Sequence, residues 1–110
     1  DLGPLSDKAV DYPDFAKKVS KRVKSGNSDI GILVCGTGTG MAITANKTKG
    51  IRAAVCYNVK STKMSRQHNN ANVISLGARL ISKKNAFKLV SVFLETKFEG
   101  GRHLRRVRKI

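Results

Sequence analysis

Apolar residues occur in short runs that alternate with amphipathic segments along the chain. Residues 29–35 (DIGILVC), 52–56 (RAAVC) and 72–76 (NVISL) are largely apolar and rich in branched side chains. Such runs are typical of strands that are buried on both faces of a parallel sheet. The sequence therefore predicts three buried strands.

Helices are predicted around these strands. Residues 12–14 (YPD) predict a helix start, and apolar positions recur every four residues until Gly26 and Asn27 end that helix. Residues 41–46, 61–68 and 102–110 are further helical candidates. Ser82 is predicted to open a helix that Gly100 and Gly101 break, with an apolar stripe formed by Ala86, Phe87, Val90, Phe93 and Leu94.

This alternation of strands and helices predicts one α/β domain over residues 1–110. We expect a doubly wound, Rossmann-like parallel sheet in three α/β/α layers, with ligands bound beyond the carboxyl ends of the strands. No strand pattern precedes the first helix, and the chain begins with Asp1. We therefore expect an amino-terminal portion of the sheet to be missing.

Composition narrows the choice of partners. Lys and Arg number 22 against 7 Asp and Glu, which gives a net charge of +15. This charge suits a nucleic acid, a membrane surface or a phosphorylated small molecule. No apolar run approaches the ~18 residues of a membrane span, so we expect a cytoplasmic protein without a membrane partner. Cys35 and Cys56 show neither disulfide nor zinc spacing, and no metal is expected.

The first predicted strand leads into a glycine-rich segment with the sequence CGTGTG. It matches neither the P-loop nor GxGxxG, so nucleotide binding is not indicated. Glycines at every second position allow backbone N–H groups to face a concavity at a helix N-terminus, where an anion or oxyanion is stabilised. The segment comprises Cys35, Gly36, Thr37, Gly38, Thr39 and Gly40. A tight strand-to-helix turn is the alternative interpretation.

Cys35 is the candidate reactive residue of this segment. Helix N-termini and nearby cations favour thiolates, which suits proton abstraction or nucleophilic attack. Free cysteines are also commonly small buried apolar residues. Cys56 ends a strand too, but YNV follows it without a glycine, so we interpret Cys56 as structural.

Two polar segments are candidate binding residues. Residues 65–70 (SRQHNN) place polar groups before the third strand, although a solvated helix end explains them equally well. Arg102 and Arg106 lie four apart, so on a helix they share a face and can bind one phosphate. A basic tail is the alternative.

Together these segments resemble the type B ribose-5-phosphate isomerase family, which includes galactose-6-phosphate isomerase subunits. The resemblance rests on DYPDFA (11–16), ILVCGTGTGMAITANK (32–47), GIRAAVC (50–56), SRQHNNANVISLGAR (65–79) and FEGGRHLRRV (98–107). The blocks occur in the family's order and span nearly the whole chain. The resemblance implies interconversion of ribose 5-phosphate and ribulose 5-phosphate through a cis-enediolate, in the pentose phosphate pathway, without metal or organic cofactor.

The resemblance also implies roles for individual residues. Cys35 is the base, Thr37 is its hydroxyl neighbour, and the backbone of residues 36–40 binds the enediolate. His68 opens the furanose ring, and imidazole can donate or accept a proton near neutral pH. Sugar and phosphate contacts are implied for Tyr12, Asn69, Arg79, Arg102 and Arg106, and His103 is a weaker candidate for ring opening.

Family active sites lie between two subunits, so a homodimer or tetramer is expected. Family members begin with a strand that ends in a substrate-binding Asp-His pair, and this strand is not among the 110 residues. We therefore expect this piece by itself to be inactive or impaired and to expose apolar surface.

Alternative functions remain open. The chain could be a galactose-6-phosphate or allose-6-phosphate isomerase, although galactose-type subunits usually lack the RQHN of residues 66–69. A basic nucleic-acid-binding domain is the alternative of another class. It is disfavoured, because charge without a recognition module is weak evidence for specific nucleic-acid binding.

Overall fold

The structure is a computed structural model that describes residues 1–6 and 9–110. The described elements, in chain order, are α1 (Tyr12–Lys24), β1 (Gly31–Cys35), α2 (Thr39–Asn46), β2 (Ala53–Val55), α3 (Val59–Gln67), β3 (Val73–Gly77), α4 (Lys83–Glu95) and α5 (Arg102–Val107).

The strands form a parallel sheet in the order β1-β3-β2. Both outer strands pair with β3 in register, Gly31 and Ala53 each lying opposite Val73. At the other end of β1, Cys35 lies opposite Gly77. The carboxyl ends of β1 and β3 therefore meet at one edge of the sheet, where the sequence predicted the ligand site.

Helices cover the sheet on two sides and produce two apolar clusters. On one side, α1 and α2 pack with the buried Leu33 and Val73. On the other side, Ile74 and Leu76 of β3 pack with Leu89 and Phe93 of α4, and α3 contacts α4. Successive residues of β3 point to opposite faces, which explains why all five of its residues are buried. The predicted α/β sheet with flanking helices is confirmed.

The prediction that β1 is buried on both faces is wrong. Leu33 is buried, whereas the side chains of Ile32 and Val34 are 45% and 53% exposed. β1 lies at the edge of the described sheet, and α4 packs over β3 on that face. The strand is thus covered on one face only. Its other face exposes apolar side chains, which agrees with the expectation that residues 1–110 by themselves expose apolar surface.

The helix of residues 82–95 is correctly predicted, but its apolar stripe is partly wrong. Ser82 caps it by accepting a hydrogen bond from the Asn85 N–H at 3.1 Å. The stripe was predicted to include Phe87 and Leu94, yet these are 65% and 59% exposed. With 3.6 residues per turn they lie roughly a quarter turn away from the buried face, which is formed by Ala86, Leu89, Val90 and Phe93.

Several predicted boundaries also move. The helix α4 ends at Glu95, not at the two glycines, which instead precede α5. The helix α3 begins at Val59, because Asn58 and Ser61 form a capping box. The helix α2 begins at Thr39, two residues earlier than predicted. No helix in the described part of the chain has the length and apolar character needed to cross a membrane.

Gly38 and Gly77 allow the segment after β1 to approach β3 closely. Gly38 has a φ of 82°, and a Cβ there would lie 3.1 Å from the Leu76 carbonyl carbon. A Cβ on Gly77 would lie 2.7 Å from the Thr37 carbonyl oxygen. A side chain at either position would therefore push the two backbones apart.

Replacement of Gly38 by alanine tests this packing. Gly50 has a similar φ of 91°, but nothing lies within 4 Å of its Cβ position, so Gly50→Ala is the matched control. We expect the control to lose about 1–2 kcal/mol of unfolding free energy from backbone strain alone. Gly38→Ala should lose at least about 1 kcal/mol more because of the clash with β3. Denaturant unfolding measures both, and equal losses would contradict the proposed close contact.

Candidate active site

The glycine loop, residues 36–40, begins directly after Cys35 and runs into α2. The Cys35 thiol is half-buried, and its Sγ accepts a hydrogen bond from the Gly38 N–H at 3.2 Å. Gly38 is also the N-terminal cap of α2. The sulfur therefore lies next to the positive end of a helix and contacts a backbone N–H group.

Hydrogen bonds from the end of β3 fix the glycine loop. The Ser75 hydroxyl donates to the Gly38 carbonyl at 2.6 Å in a buried position. The Ala78 N–H donates to the Cys35 carbonyl at 2.8 Å, and the Arg79 N–H donates to the Gly36 carbonyl at 3.0 Å. Because the loop carbonyls are turned toward β3, the loop does not depend on a ligand for its shape.

Three of the N–H groups in the glycine loop remain available for an anion among the described residues. The Gly38 N–H is used by Cys35, and the Thr39 N–H donates to the Thr37 Oγ1 at 3.2 Å. The N–H groups of Gly36, Thr37 and Gly40 have no hydrogen-bond acceptor among the described residues. They lie beside the reactive sulfur in sequence, at the start of α2.

Tyr12 and Arg79 flank the glycine loop. A Cβ on Gly40 would lie 2.7 Å from the Tyr12 ring and its hydroxyl, so the phenol packs directly against the loop. A Cβ on Gly36 would lie 3.5 Å from the Arg79 Nε, which places the guanidinium against the other side of the loop. Tyr12 and Cys35 also line one cavity of about 790 Å³. The structure thus brings two predicted substrate-binding residues to the predicted base.

A second group, the histidine cluster, consists of His68, Glu99 and His103. The His68 and His103 rings are stacked, with centroids 4.4 Å apart and planes 15° apart. The Nε2 of His68 lies 4.0 Å from the Glu99 Oε1. Burial lowers the pKa of His103, and the charges of His68 and Arg102 lower it further. The neutral imidazole of His103 is therefore favoured.

Arg66 holds the segment that carries His68. Its Nε donates to the Thr96 carbonyl at 3.0 Å, its Nη1 donates to the Ala71 carbonyl, and its guanidinium lies over the Phe93 ring. Burial lowers the pKa of Arg66 from its ordinary value, but so strong a base stays protonated at neutral pH. One planar cation therefore connects α3, the turn before β3 and the end of α4.

The predicted phosphate ligands lie on α5. Arg102 and Arg106 are exposed and four positions apart in this helix, so they share one face as predicted. His103, between them in sequence, points into the protein and is 9% exposed. The basic segment is thus a helix beside the histidine cluster.

The predicted site residues fall into two groups within the chain. Cys35, Thr37, Tyr12 and Arg79 are gathered at the glycine loop, and His68 lies in the histidine cluster beside α5. Asn69 lines a different cavity, of about 320 Å³. No hydrogen bond, ion pair or ring contact among the described residues joins the two groups.

Two residues of the site were not singled out from the sequence. Glu99 lies in the block FEGGRH, but only the fold brings it to His68, 31 positions away. Ser75 lies inside the third apolar run, where a single polar residue among buried neighbours is the signal that it bonds something.

Comparisons with known proteins identify the family of the chain. The family model described as Ribose/Galactose Isomerase matches residues 1–110. Ribose-5-phosphate isomerase B from Escherichia coli is 46% identical over 110 residues, which cover all of this chain and 74% of that protein.

Solved structures match equally well. The ribose-5-phosphate isomerase B of Clostridium thermocellum is 50% identical with a TM-score of 0.96, covering 98% of this chain and 73% of that one. The Mycoplasma genitalium enzyme, solved with bound ribulose-5-phosphate, is 47% identical with a TM-score of 0.92, covering 98% and 72%. The chain belongs to the ribose/galactose isomerase family and, within it, to the aldose-ketose isomerases of the ribose-5-phosphate isomerase B type.

The two thiols should differ in reactivity. Cys56 is 1% exposed, and burial raises its pKa, whereas Cys35 is half-buried beside the Gly38 N–H. We expect iodoacetamide at mild pH to modify Cys35 in the native protein and Cys56 only after unfolding. Peptide mass spectrometry with and without denaturant measures this. Equal native rates for both cysteines would contradict the described burial.

Proposed function

We propose that this protein interconverts ribose 5-phosphate and ribulose 5-phosphate in the cytoplasm, as part of the pentose phosphate pathway. The observation that carries the proposal is the placement of the Cys35 sulfur at the start of a glycine loop in which three N–H groups have no acceptor among the described residues. Membership of the family supports it, as does the ribulose-5-phosphate bound to the Mycoplasma genitalium relative. The mechanism needs no metal or organic cofactor.

Cys35 acts as the base. The Cys35 thiolate removes the proton from C2 of the open-chain aldose, which leaves a cis-enediolate and a neutral thiol. The thiol proton exchanges with solvent, and the thiol then protonates C1 to give the ketose and the thiolate again. The Gly38 N–H donates a hydrogen bond to this sulfur, which lies at the N-terminus of α2. Thr37 is the neighbouring hydroxyl group, and its Oγ1 already accepts from the Thr39 N–H, which orients it.

The glycine loop stabilises the intermediate. The negative charge that develops on the sugar oxygens is bonded by the N–H groups of Thr37 and Gly40, which have no acceptor in the described part of the chain. Because β3 holds the loop in place, these donors are positioned before the reaction begins. Such preorganised donors are commonly a large part of the rate enhancement.

His68 opens the furanose ring by proton transfer, and Asn69 holds sugar hydroxyl groups. Arg102 and Arg106 bind the phosphate from one face of α5, and Arg79 adds a further cation at the glycine loop. Tyr12 lines the sugar pocket. In this proposal, part of the chain's positive charge binds the phosphate of the substrate.

The active site lies between two copies of the chain, in a homodimer or tetramer. The separation of the glycine loop from the histidine cluster supports this arrangement, because one substrate would need groups from both. Residues 1–110 in isolation are expected to be inactive or impaired, since Ile32 and Val34 leave an apolar strand face exposed. The activity tests below therefore use the gene-encoded protein and not residues 1–110 in isolation.

The substrate preference distinguishes the proposed ribose-5-phosphate isomerase from the alternative isomerases of six-carbon sugar phosphates. Galactose 6-phosphate and allose 6-phosphate are the alternative substrates, and their turnover is compared with that of ribose 5-phosphate on one preparation. A higher kcat/KM for either six-carbon sugar would replace the proposed substrate but keep the reaction type.

Replacement of Cys35 tests its role as the base. We expect Cys35→Ala to lower kcat by about 10²- to 10⁴-fold, because general-base catalysis contributes that much, while ribose 5-phosphate still binds. Cys56→Ala is the control, since that thiol is buried away from the loop. Coupled kinetics and calorimetric binding measure the two effects, and full turnover by Cys35→Ala would exclude this cysteine from the mechanism.

Complementation tests the shared site. Cys35→Ala and His68→Ala chains are co-expressed, and if each site takes Cys35 from one chain and His68 from the other, half of the sites in heterodimers are intact. We expect about a quarter of wild-type activity in a random mixture of dimers. Co-expression of Cys35→Ala with Cys35→Ser is the control and should recover nothing. Inactive heterodimers, verified by native mass spectrometry, would place each site within one chain.

A further inference from the structure

The histidine cluster brings together three groups that can ligate a metal. One ring nitrogen of each histidine and one carboxylate oxygen of Glu99 all lie within 4.8 Å of one another. The three residues come from different elements. His68 caps the C-terminus of α3, Glu99 lies between α4 and α5, and His103 lies in α5.

Backbone contacts hold these residues together independently of any ligand. The Glu99 N–H donates to the Gln67 carbonyl at 3.1 Å, which attaches its segment to the end of α3. The His103 N–H donates to the Gly100 carbonyl at 3.0 Å, and its ring is buried against that of His68. Folding therefore already places the three side chains close together, so that metal binding does not cost the entropy of assembling them.

We propose that His68, Glu99 and His103 form a binding site for Zn²⁺, and that the bound ion inhibits the enzyme. Two imidazoles and one carboxylate, with water in the fourth position, are a ligand set that Zn²⁺ takes in proteins. An ion there binds a ring nitrogen of His68, the residue that is proposed to transfer the proton in ring opening. The inhibition rests on the proposed function, whereas the binding does not.

The geometry requires only small side-chain movements. Ligand atoms around tetrahedral zinc lie about 3.3 Å apart, given zinc-to-nitrogen distances near 2.0 Å. The separation of 4.0 Å between His68 and Glu99 is close to this value. Glu99 is exposed and His68 is half-buried, so both can rotate toward an ion while the two stacked rings tilt.

The neighbouring charges limit the affinity. Arg102 and Arg106 lie on the same short helix as His103 and repel a cation. The site is therefore expected to bind Zn²⁺ more weakly than closed structural zinc sites do, and to release it to a chelator. Reversible inhibition, not permanent occupancy, follows from this balance.

Binding is tested by titrating the protein with Zn²⁺ against a chromogenic chelator, with Co²⁺ absorption as a second reading. We expect one ion per chain and an affinity that falls at least about 10-fold in Glu99→Gln and in His103→Asn, because each variant removes a direct ligand and loss of an outer partner alone costs about that much. Glu95→Gln removes the same charge from an exposed position outside the cluster and should bind as wild type does. Cys35→Ser should also keep its affinity, which separates the cluster from the thiol.

The proposal is overturned if Zn²⁺ binding does not saturate, if Glu95→Gln weakens it as much as Glu99→Gln, or if only Cys35→Ser loses it. Circular dichroism verifies that each variant is folded, and the exposed Glu99→Gln keeps the test valid if His103→Asn unfolds. Turnover of ribose 5-phosphate with Zn²⁺ and then with excess chelator tests inhibition. Saturable binding of Zn²⁺ at the cluster without loss of turnover would overturn the proposed inhibition. If the protein shows no turnover of ribose 5-phosphate even without Zn²⁺, the proposed function is overturned. The Zn²⁺ titration still decides whether the cluster binds the ion in that case.

Discussion

The close approach of the glycine loop to the carboxyl end of β3 is the constraint on which the site depends. The Gly38 carbonyl accepts from the buried Ser75 hydroxyl at 2.6 Å, and the Thr37 backbone lies so close to Gly77 that no side chain fits there. This contact turns the loop carbonyls toward β3. It fixes the Cys35 sulfur at the start of α2 and leaves three N–H groups of the loop without an acceptor in the described part of the chain. The chemistry of the site is thus a consequence of backbone packing between two parallel strands.

The sequence predicts this part of the molecule well because its signals are local. Apolar runs and the glycine spacing after Cys35 depend on near neighbours, so the strands, the loop and the paired arginines of α5 are all found. Tertiary partners decide the features that were missed. The exposure of Ile32 and Val34 follows from the edge position of β1, and Glu99 lies beside His68 because α4 packs against α3.

The division of the functional residues into two groups explains how one small chain can both stabilise a negative charge and transfer protons near neutral pH. The glycine loop stabilises negative charge through backbone groups near a helix N-terminus, whereas proton transfer near neutral pH needs imidazole. Arg66 keeps the histidine cluster in place, because its guanidinium donates hydrogen bonds to carbonyls of two segments and lies over the Phe93 ring. Each group is therefore organised by its own part of the fold, and the substrate is the element that would connect them.

The most direct test of the central claim is the fate of the C2 hydrogen during isomerisation. Ribose 5-phosphate is converted by the gene-encoded protein in D₂O, and proton and carbon nuclear magnetic resonance follow the C1 position of ribulose 5-phosphate. Proton abstraction by Cys35 through an enediolate predicts that deuterium enters C1 of the product, and that Cys35→Ala incorporates none. Conversion at the normal rate without any deuterium in either sugar would indicate a direct hydride shift and contradict the account.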